Sequence, residues 1–108
     1  MPYEYKAKVL RVVDGDTIDA EVDLGFHIKM EMKLRLAGIN APEMNTVEGK
    51  KSRAALMSLI EGQDVTIFTI KDRQEKYGRY LAVVITMKDH KNINEWLVEQ
   101  NLAVKYNG

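Results

Sequence analysis

The 108-residue sequence predicts a single domain, residues 1–108, of α+β and mainly β class. Its expected core is a five-stranded barrel, with one helix between strands 3 and 4 and a second helix after strand 5. Three observations predict this. Apolar and polar residues alternate with period two across residues 17–36, the period turns helical at two later places, and turn-forming residues separate the stretches.

Residues 3–13 read as a first strand, closed by the turn signal Asp14-Gly15. In the next stretch Ile18, Ala20, Val22 and Leu24 are apolar while Thr17, Asp19, Glu21 and Asp23 are polar. The same phase continues through Phe26, Ile28, Met30, Met32, Leu34 and Leu36, with His27, Lys29, Glu31, Lys33 and Arg35 facing the other way. Gly25 between the runs suits a hairpin, so two long antiparallel strands with one wet face are expected. Arg35 falls on that wet face.

After Glu43 the period changes. Asn45 and Glu48 stand at capping-box spacing, Ser52, Ala55, Leu56, Leu59 and Ile60 share one helical face, and Gly62 is the stop. Residues 65–70 and 80–87 are β-branched and apolar with poor alternation, which predicts strands covered on both faces. A short second helix opens at Asn92, with Glu95 three residues on and Ile93, Trp96 and Leu97 facing inward. Three strands, a helix, two strands and a helix make the OB-fold order.

Composition narrows the class of function. With 45% hydrophobic and 30% charged residues the chain has the makeup of a folded globular domain. No apolar run approaches the roughly 20 residues of a membrane span, and the start lacks the basic-then-apolar layout of a secretory signal. A cytoplasmic monomer is expected, with no membrane partner. The absence of cysteine excludes disulfides and thiolate metal sites. Net charge is +0, so phosphate binding must come from local clusters. Lys71, Arg73, Lys76 and Arg79 form one such cluster. Lys50, Lys51 and Arg53 read as a solvated face, and His27 and His90 as surface histidines without partners at ligand spacing.

Three short segments carry the chemistry. In Val13-Asp14-Gly15-Asp16-Thr17 the Asp-Gly pair serves a tight turn, and Asp16 is left at a position where a strand disfavours aspartate. The segment does not fit a calcium-binding helix–loop–helix, whose glycine and glutamate positions hold Asp19 and Gly25. In Arg35-Leu36-Ala37-Gly38-Ile39-Asn40-Ala41-Pro42-Glu43, Gly38 permits a bend and Pro42 ends strand pairing, leaving Glu43 on a stiff irregular stretch. Arg35 could serve a cross-strand ion pair with Glu21 or Asp23, and Glu43 could simply be solvated. In Lys76-Tyr77-Gly78-Arg79 a turn precedes an apolar strand and sets a guanidinium at the barrel rim. Together the segments supply a carboxylate for a hard cation, a carboxylate that can accept a proton from water, and two guanidiniums for a phosphate gaining charge.

In this order and at these intervals the segments, from about Tyr5 to Ala103, resemble the staphylococcal-nuclease (thermonuclease-like) family. The resemblance implies an OB-fold phosphodiesterase that uses calcium. The family's catalytic arginine, glutamate and arginine fall on Arg35, Glu43 and Arg79, its first calcium carboxylate on Asp16, and its phosphate-binding tyrosine on Tyr77. Its second calcium carboxylate falls on Asn40, a neutral amide oxygen. That replacement should weaken the calcium site or shift its preference. The following position, Ala41, could still offer a backbone carbonyl. The prototype's further C-terminal helix has no counterpart here, and its base-stacking tyrosine matches Tyr106 only with a one-residue shift.

The expected function is therefore a metal-dependent nuclease, an endonuclease on the family's pattern, acting on DNA or RNA and preferring single strands. Asp16, Asn40 and Ala41 would hold Ca²⁺, and Lys76, Tyr77, Arg35 and Arg79 would contact substrate. Two other readings fit the same segments: a non-catalytic OB-fold module for single-stranded nucleic acid, and a protein-interaction domain with a vestigial site. The retained Glu43 argues against both, because a carboxylate beside a phosphate weakens binding unless it does chemistry or holds metal.

Overall fold

Strand β1 (Pro2–Asp14) is the longest, and it serves two neighbours at once. One edge pairs antiparallel with β2 (Thr17–Gly25), from Ala7 opposite Val22 to Asp14 opposite Thr17. The other edge pairs with β5 (Asp64–Gln74), from Pro2 opposite Ile70 to Lys8 opposite Asp64. Register shifts between Val9 and Arg11 and between Val12 and Asp14 bend the strand, as bulges do. The computed structural model describes residues 2–74 and 79–106, and the side chains of these except Pro2 and residues 70–74.

β2 pairs with β3 (Ile28–Leu36), and β5 with β6 (Tyr80–Thr86). Closure comes from three residues: Leu34, Leu36 and Arg35 lie parallel to β6 opposite Tyr80, Ala82 and Leu81. The barrel order is β1-β2-β3-β6-β5, the expected five-stranded arrangement. Period two fills it: Ile18, Ala20 and Val22 from β2, Leu34 and Leu36 from β3, Val65 and Ile67 from β5, and Ala82 and Val84 from β6 are buried.

Helix α1 (Val47–Ile60) lies between β3 and β5 and contributes Leu56 and Ile60 to the core. Its N-cap is Thr46, whose hydroxyl accepts from the Gly49 amide at 3.0 Å. The expected cap at Asn45 is one residue early, because both residues can cap and only Thr46 stands three before a free helical amide that faces it. Helix α2 (Ile93–Glu99) begins as expected, with the Asn92 side chain accepting from the Glu95 amide at 3.1 Å. Ile93 and Leu97 are buried, whereas Trp96 is half-buried with Lys91 over its ring, so it packs on the core from outside. Asn94 takes the inner position instead. Its amide accepts from Val84 and donates to Ala37 and Ala82, which ties α2 to the barrel.

Two short strands escape detection by periodicity: β4 (Ile39–Asn40) and β7 (Val104–Lys105) form a separate two-stranded sheet. They bring the C-terminal segment alongside Asn40.

The β2–β3 hairpin differs from expectation in one respect. Its apolar stripe is buried only where other elements oppose it. β1 reaches β2 no further than Val22, and β6 reaches β3 only from Leu34. Beyond those limits Phe26, Ile28 and Met30 are 95%, 55% and 51% exposed. His27 belongs to the turn, with φ of 63°, and not to the polar face of a strand. No described helix is long and apolar enough to cross a membrane.

Candidate active site

The site starts from the turn between β1 and β2. Asp14 and Thr17 are paired across the hairpin, and Gly15 and Asp16 make the connection. A Cβ at Gly15 would lie 2.8 Å from the Ala41 Cβ and 2.9 Å from that of Ser52. Glycine is therefore needed for close approach, which presses the turn against the Ala41 segment and helix α1. In that position the Asp16 Oδ2 accepts from the Ala41 amide at 2.9 Å, and the Asp16 carbonyl accepts from the Leu36 amide at 2.8 Å. Asp16 is thus a turn residue just before β2, and it is buried.

Arg35 lies opposite Thr17 in register, and its guanidinium turns towards the β3–β4 bend. Nη1 donates to the carbonyls of Leu36 and Ile39, both at 2.9 Å, and Nη2 donates to Asn40 Oδ1 at 3.0 Å. Nη2 also stands 3.6 Å from Asp16 Oδ2, in an ion pair whose side chains are 11% and 10% exposed. The alternative cross-strand pair with Glu21 or Asp23 does not form: those residues face Glu31 and Lys29.

Arg79 joins from the start of β6. Its Nη1 donates to the Thr17 hydroxyl at 3.2 Å, and that hydroxyl donates to Asp16 Oδ1 at 3.1 Å. Thr17 therefore links the second arginine to the carboxylate. Sequence reasoning did not single out Thr17; its signal was its place on the wet face directly across the hairpin from Arg35.

Asp14 is the other residue that sequence reasoning passed over. Its Oδ1 accepts from the Asp16 amide at 3.0 Å. Burial pushes the Asp14 carboxyl up, and sharing a hydrogen bond with Asp16 pushes it further. For Asp16, burial also pushes upward. Hydrogen bonds from Asp14, the Ala41 amide and Thr17, together with the Arg35 charge, outweigh that and hold it below the usual aspartate range. Of the two, Asp14 is the one that takes up a proton first as pH falls, and Asp16 holds its charge longer.

Glu43 follows on the irregular stretch before α1 and is exposed. Its carbonyl accepts from the amide and hydroxyl of Thr46, at 3.0 and 2.6 Å. Gly49 sits directly against that carbonyl, where any Cβ would overlap it. The backbone of Glu43 is thus clamped by the first turn of α1. Among the described residues its carboxylate makes no hydrogen bond or ion pair and is free to meet a ligand.

Asn40 is exposed and engaged with Arg35, while Ala41 gives its amide to Asp16. Tyr106 lies over Arg35, with the guanidinium carbon 5.7 Å from the ring centroid, and its amide donates to the Gly38 carbonyl at 2.9 Å. The β4–β7 pairing holds it there. Lys76 and Tyr77, expected to bind substrate, lie outside the described residues, as do the side chains of Lys71 and Arg73. Lys50 and Lys51 are exposed, as a solvated face should be, but Arg53 donates from Nε to the Val12 carbonyl at 3.2 Å.

The donor set can be tested against a cation. Asp14, Asp16, the Asn40 amide oxygen and the Ala41 carbonyl are all hard oxygens, which suit calcium, magnesium or manganese. Among the described residues no group of three or more His, Cys, Asp or Glu side chains could hold a metal. A cation here must therefore draw on neutral oxygens and water as well as carboxylate, and the set fits a hard, weakly held ion.

The sequence matches known proteins. A family model described as staphylococcal nuclease homologue matches residues 33–108. Over 110 residues the chain is 34% identical to "Protein ParB" of Escherichia coli and 31% identical to a micrococcal nuclease of Shigella flexneri. Each alignment covers 95% of this chain, and 58% and 59% of those proteins. A thermonuclease of Staphylococcus hyicus is 33% identical over 106 residues, covering 93% of this chain and 59% of its own. The chain thus spans a little under two thirds of these relatives' length. With the closed barrel and the family match over residues 33–108 in agreement, the chain belongs to the staphylococcal nuclease homologue family.

Proposed function

We propose that this domain is a metal-assisted nuclease that hydrolyses phosphodiester bonds of single-stranded DNA or RNA. One observation carries the reading: Arg35 on β3 and Arg79 just before β6 reach Asp16 and its neighbour Thr17, while the chain two residues beyond Ala41 presents a Glu43 whose carboxylate is unengaged among the described residues. Micrococcal nuclease and thermonuclease among the relatives support the same class of reaction.

Asp16, Asn40 and the Ala41 carbonyl would hold a hard cation such as Ca²⁺, which supplies Lewis-acid polarisation of a phosphate oxygen. The protein's own groups do the rest. Glu43 accepts a proton from the attacking water as its oxygen bonds to phosphorus, and the ester P–O bond opposite breaks. Arg35 and Arg79 bind the phosphate and stabilise the charge that accumulates on its oxygens. To do so Arg35 keeps its two Nη1 bonds to backbone and offers the Nη2 edge now held by Asn40. Tyr106, half-exposed over Arg35, offers a ring against which a base can stack.

The test is direct. The purified domain is incubated with single-stranded DNA and with RNA in calcium, magnesium, manganese or EDTA, and cleavage is followed. Cleavage that needs a cation supports the reading. Binding without cleavage in every cation makes the domain an OB-fold binder instead.

A further inference from the structure

We propose that two copies of this chain associate through the outer edge of β3, in an antiparallel pairing centred on Met30. The monomer expected from sequence did not anticipate the exposed arm. Residues 28–33 of β3 pair with β2 on one edge, while β6 takes the other edge only from Leu34 onward. Among the described residues, nothing pairs with that second edge over 28–33. The segment has six residues and no proline, its pairing with β2 is regular from Lys29 to Lys33 with one register shift opposite Ile28, and an open strand edge of this kind is a template for another strand.

Backbone direction fixes which groups are available. The Leu36 amide points into β2's side of the strand, to Asp16, and the Ala37 amide points away, to Ala82. By the alternation of an antiparallel ladder, the N–H and C=O groups of Lys29, Glu31 and Lys33 point outward. With Met30 facing its own copy, Lys29 of one chain stands opposite Glu31 of the other, twice, as hydrogen-bonded pairs. Four N–H···O bonds form.

Side chains select the same register. Centring on Met30 puts Lys29 against Glu31 and Ile28 against Met32, so opposite charges meet on one face and apolar groups on the other. Moving the centre one residue either way, a slip of two residues between the strands, sets Lys29 against Lys29 or Glu31 against Glu31. Lysine on an edge strand ordinarily discourages pairing; here the intervening Glu31, which also accepts from Arg11 Nη2 of its own chain at 3.2 Å on the exposed polar face, makes the edge self-complementary. The exposed Ile28, Met30 and Phe26 lie along the apolar face that such a pair would extend. Arg35 is five residues from the centre, which sets the two candidate active sites about 34 Å apart along the joined strands. Both stay open.

Charge reversal tests the pairing. Sedimentation of the full chain over a concentration series should show a monomer–dimer equilibrium. Lys29→Glu and Glu31→Lys, each confirmed folded by its melting curve, should each sediment as monomers, because like charges then face each other. An equimolar mixture of the two variants should form dimers again, since every facing pair is once more opposite in sign, and so should the double variant. Nuclease activity per chain should not change. The proposal is overturned if the parent remains monomeric at millimolar concentration, or if the single variants dimerise as well as the parent. A monomeric parent that floats with phosphatidylglycerol-containing vesicles would assign the arm to a lipid surface and likewise overturn it.

Discussion

Arg35 Nη2 donates to Asn40 Oδ1 at 3.0 Å, so the residue at the position of an expected cation ligand is held by one of the two arginines expected to bind phosphate. The same nitrogen stands 3.6 Å from Asp16 Oδ2. One guanidinium edge therefore serves two oxygens that a cation would also use. On the proposed mechanism, binding a cation and freeing Arg35 for phosphate would be one and the same rearrangement.

This makes Asn40→Asp informative. The variant adds a negative oxygen beside Asp16, which favours a hard divalent ion over the neutral amide. Calcium affinity measured by calorimetry should rise, and cleavage should reach its maximum at lower calcium. Equal affinity in the two forms would remove Asn40 from the ligand set.

Arg35 also has a structural load that Asn40 does not. Its Nη1 bonds to the Leu36 and Ile39 carbonyls hold the β3–β4 bend, and its charge compensates Asp16. Arg35→Ala should lower unfolding free energy by about 3–5 kcal/mol, as buried pairs do when one partner is removed. Arg35→Lys should recover part of that stability but little cleavage, because an ammonium lacks the planar fork. Urea unfolding and initial rates on both variants separate the two roles. A lysine variant with full activity would mean that bidentate geometry is unimportant.

Much of this was legible in the chain, for a physical reason. Strand periodicity and helix punctuation are local, so β1–β3, α1 and α2 could be read from residue order. Turn chemistry likewise set Asp16 beside the β1–β2 turn, Arg35 near the end of β3 and Glu43 on an irregular stretch, whereas Lys76, Tyr77 and Gly78 of the third segment lie outside the described residues. What could not be read depends on what lies opposite. The stripe Phe26, Ile28 and Met30 has the same alternation as buried Ile18 and Leu34, and only the lengths of β1 and β6 decide that it is exposed. The two-residue strands β4 and β7 are too short to show a period, yet they bring Tyr106 to Arg35. Nothing in the residue order marks Gly49, because its contact with the Glu43 carbonyl exists only after folding.

The Asp14–Asp16 pair predicts a pH signature. Asp16 is depressed in the folded state, so its contribution is present above the unfolded value near ~3.9 and is lost as pH falls through its folded value. Asp14 is raised, so ionising it costs stability as pH climbs from ~3.9 through its folded value. Asp14→Asn keeps an oxygen for the Asp16 amide and removes that cost. The variant should melt higher than the parent at neutral pH, and the difference should shrink to nothing below about pH 3.9. A difference that persists unchanged in acid would point to packing and not to charge.

Glu43→Gln separates catalysis from binding. Size and hydrogen bonding are kept while the group that accepts the proton is lost, so cleavage should fall by about 10²–10⁴-fold. Affinity for a single-stranded oligonucleotide should hold or improve, since a negative charge near the phosphate is gone. Arg79→Ala should instead slow cleavage and weaken binding wherever its phosphate contact already exists in the ground state. Cleavage by Glu43→Gln at the parent rate would take Glu43 out of the mechanism.

The same glutamate can be reached from behind through Gly49→Ala. Helix propensity alone favours alanine by up to about 1 kcal/mol. Here the added methyl would overlap the Glu43 carbonyl and approach that of Pro42, both of them backbone atoms that no side-chain rotation can clear. Overpacking of this kind costs about 1–3 kcal/mol, so the clash should outweigh the propensity gain. Relief requires the first turn of α1 and the segment carrying Glu43 to separate, and the carboxylate then shifts relative to the arginines. The expected outcome is a lower melting temperature together with at least a ~10-fold loss of turnover, since small misplacements of a reacting group are costly. Oligonucleotide affinity should be nearly unchanged, because Arg35 is anchored on β3 and Arg79, immediately before β6, on Thr17. Rates and dissociation constants measured well below the variant's melting point distinguish this from simple unfolding. If Gly49→Ala loses stability but keeps its turnover, the clamp holds the helix and does not position Glu43.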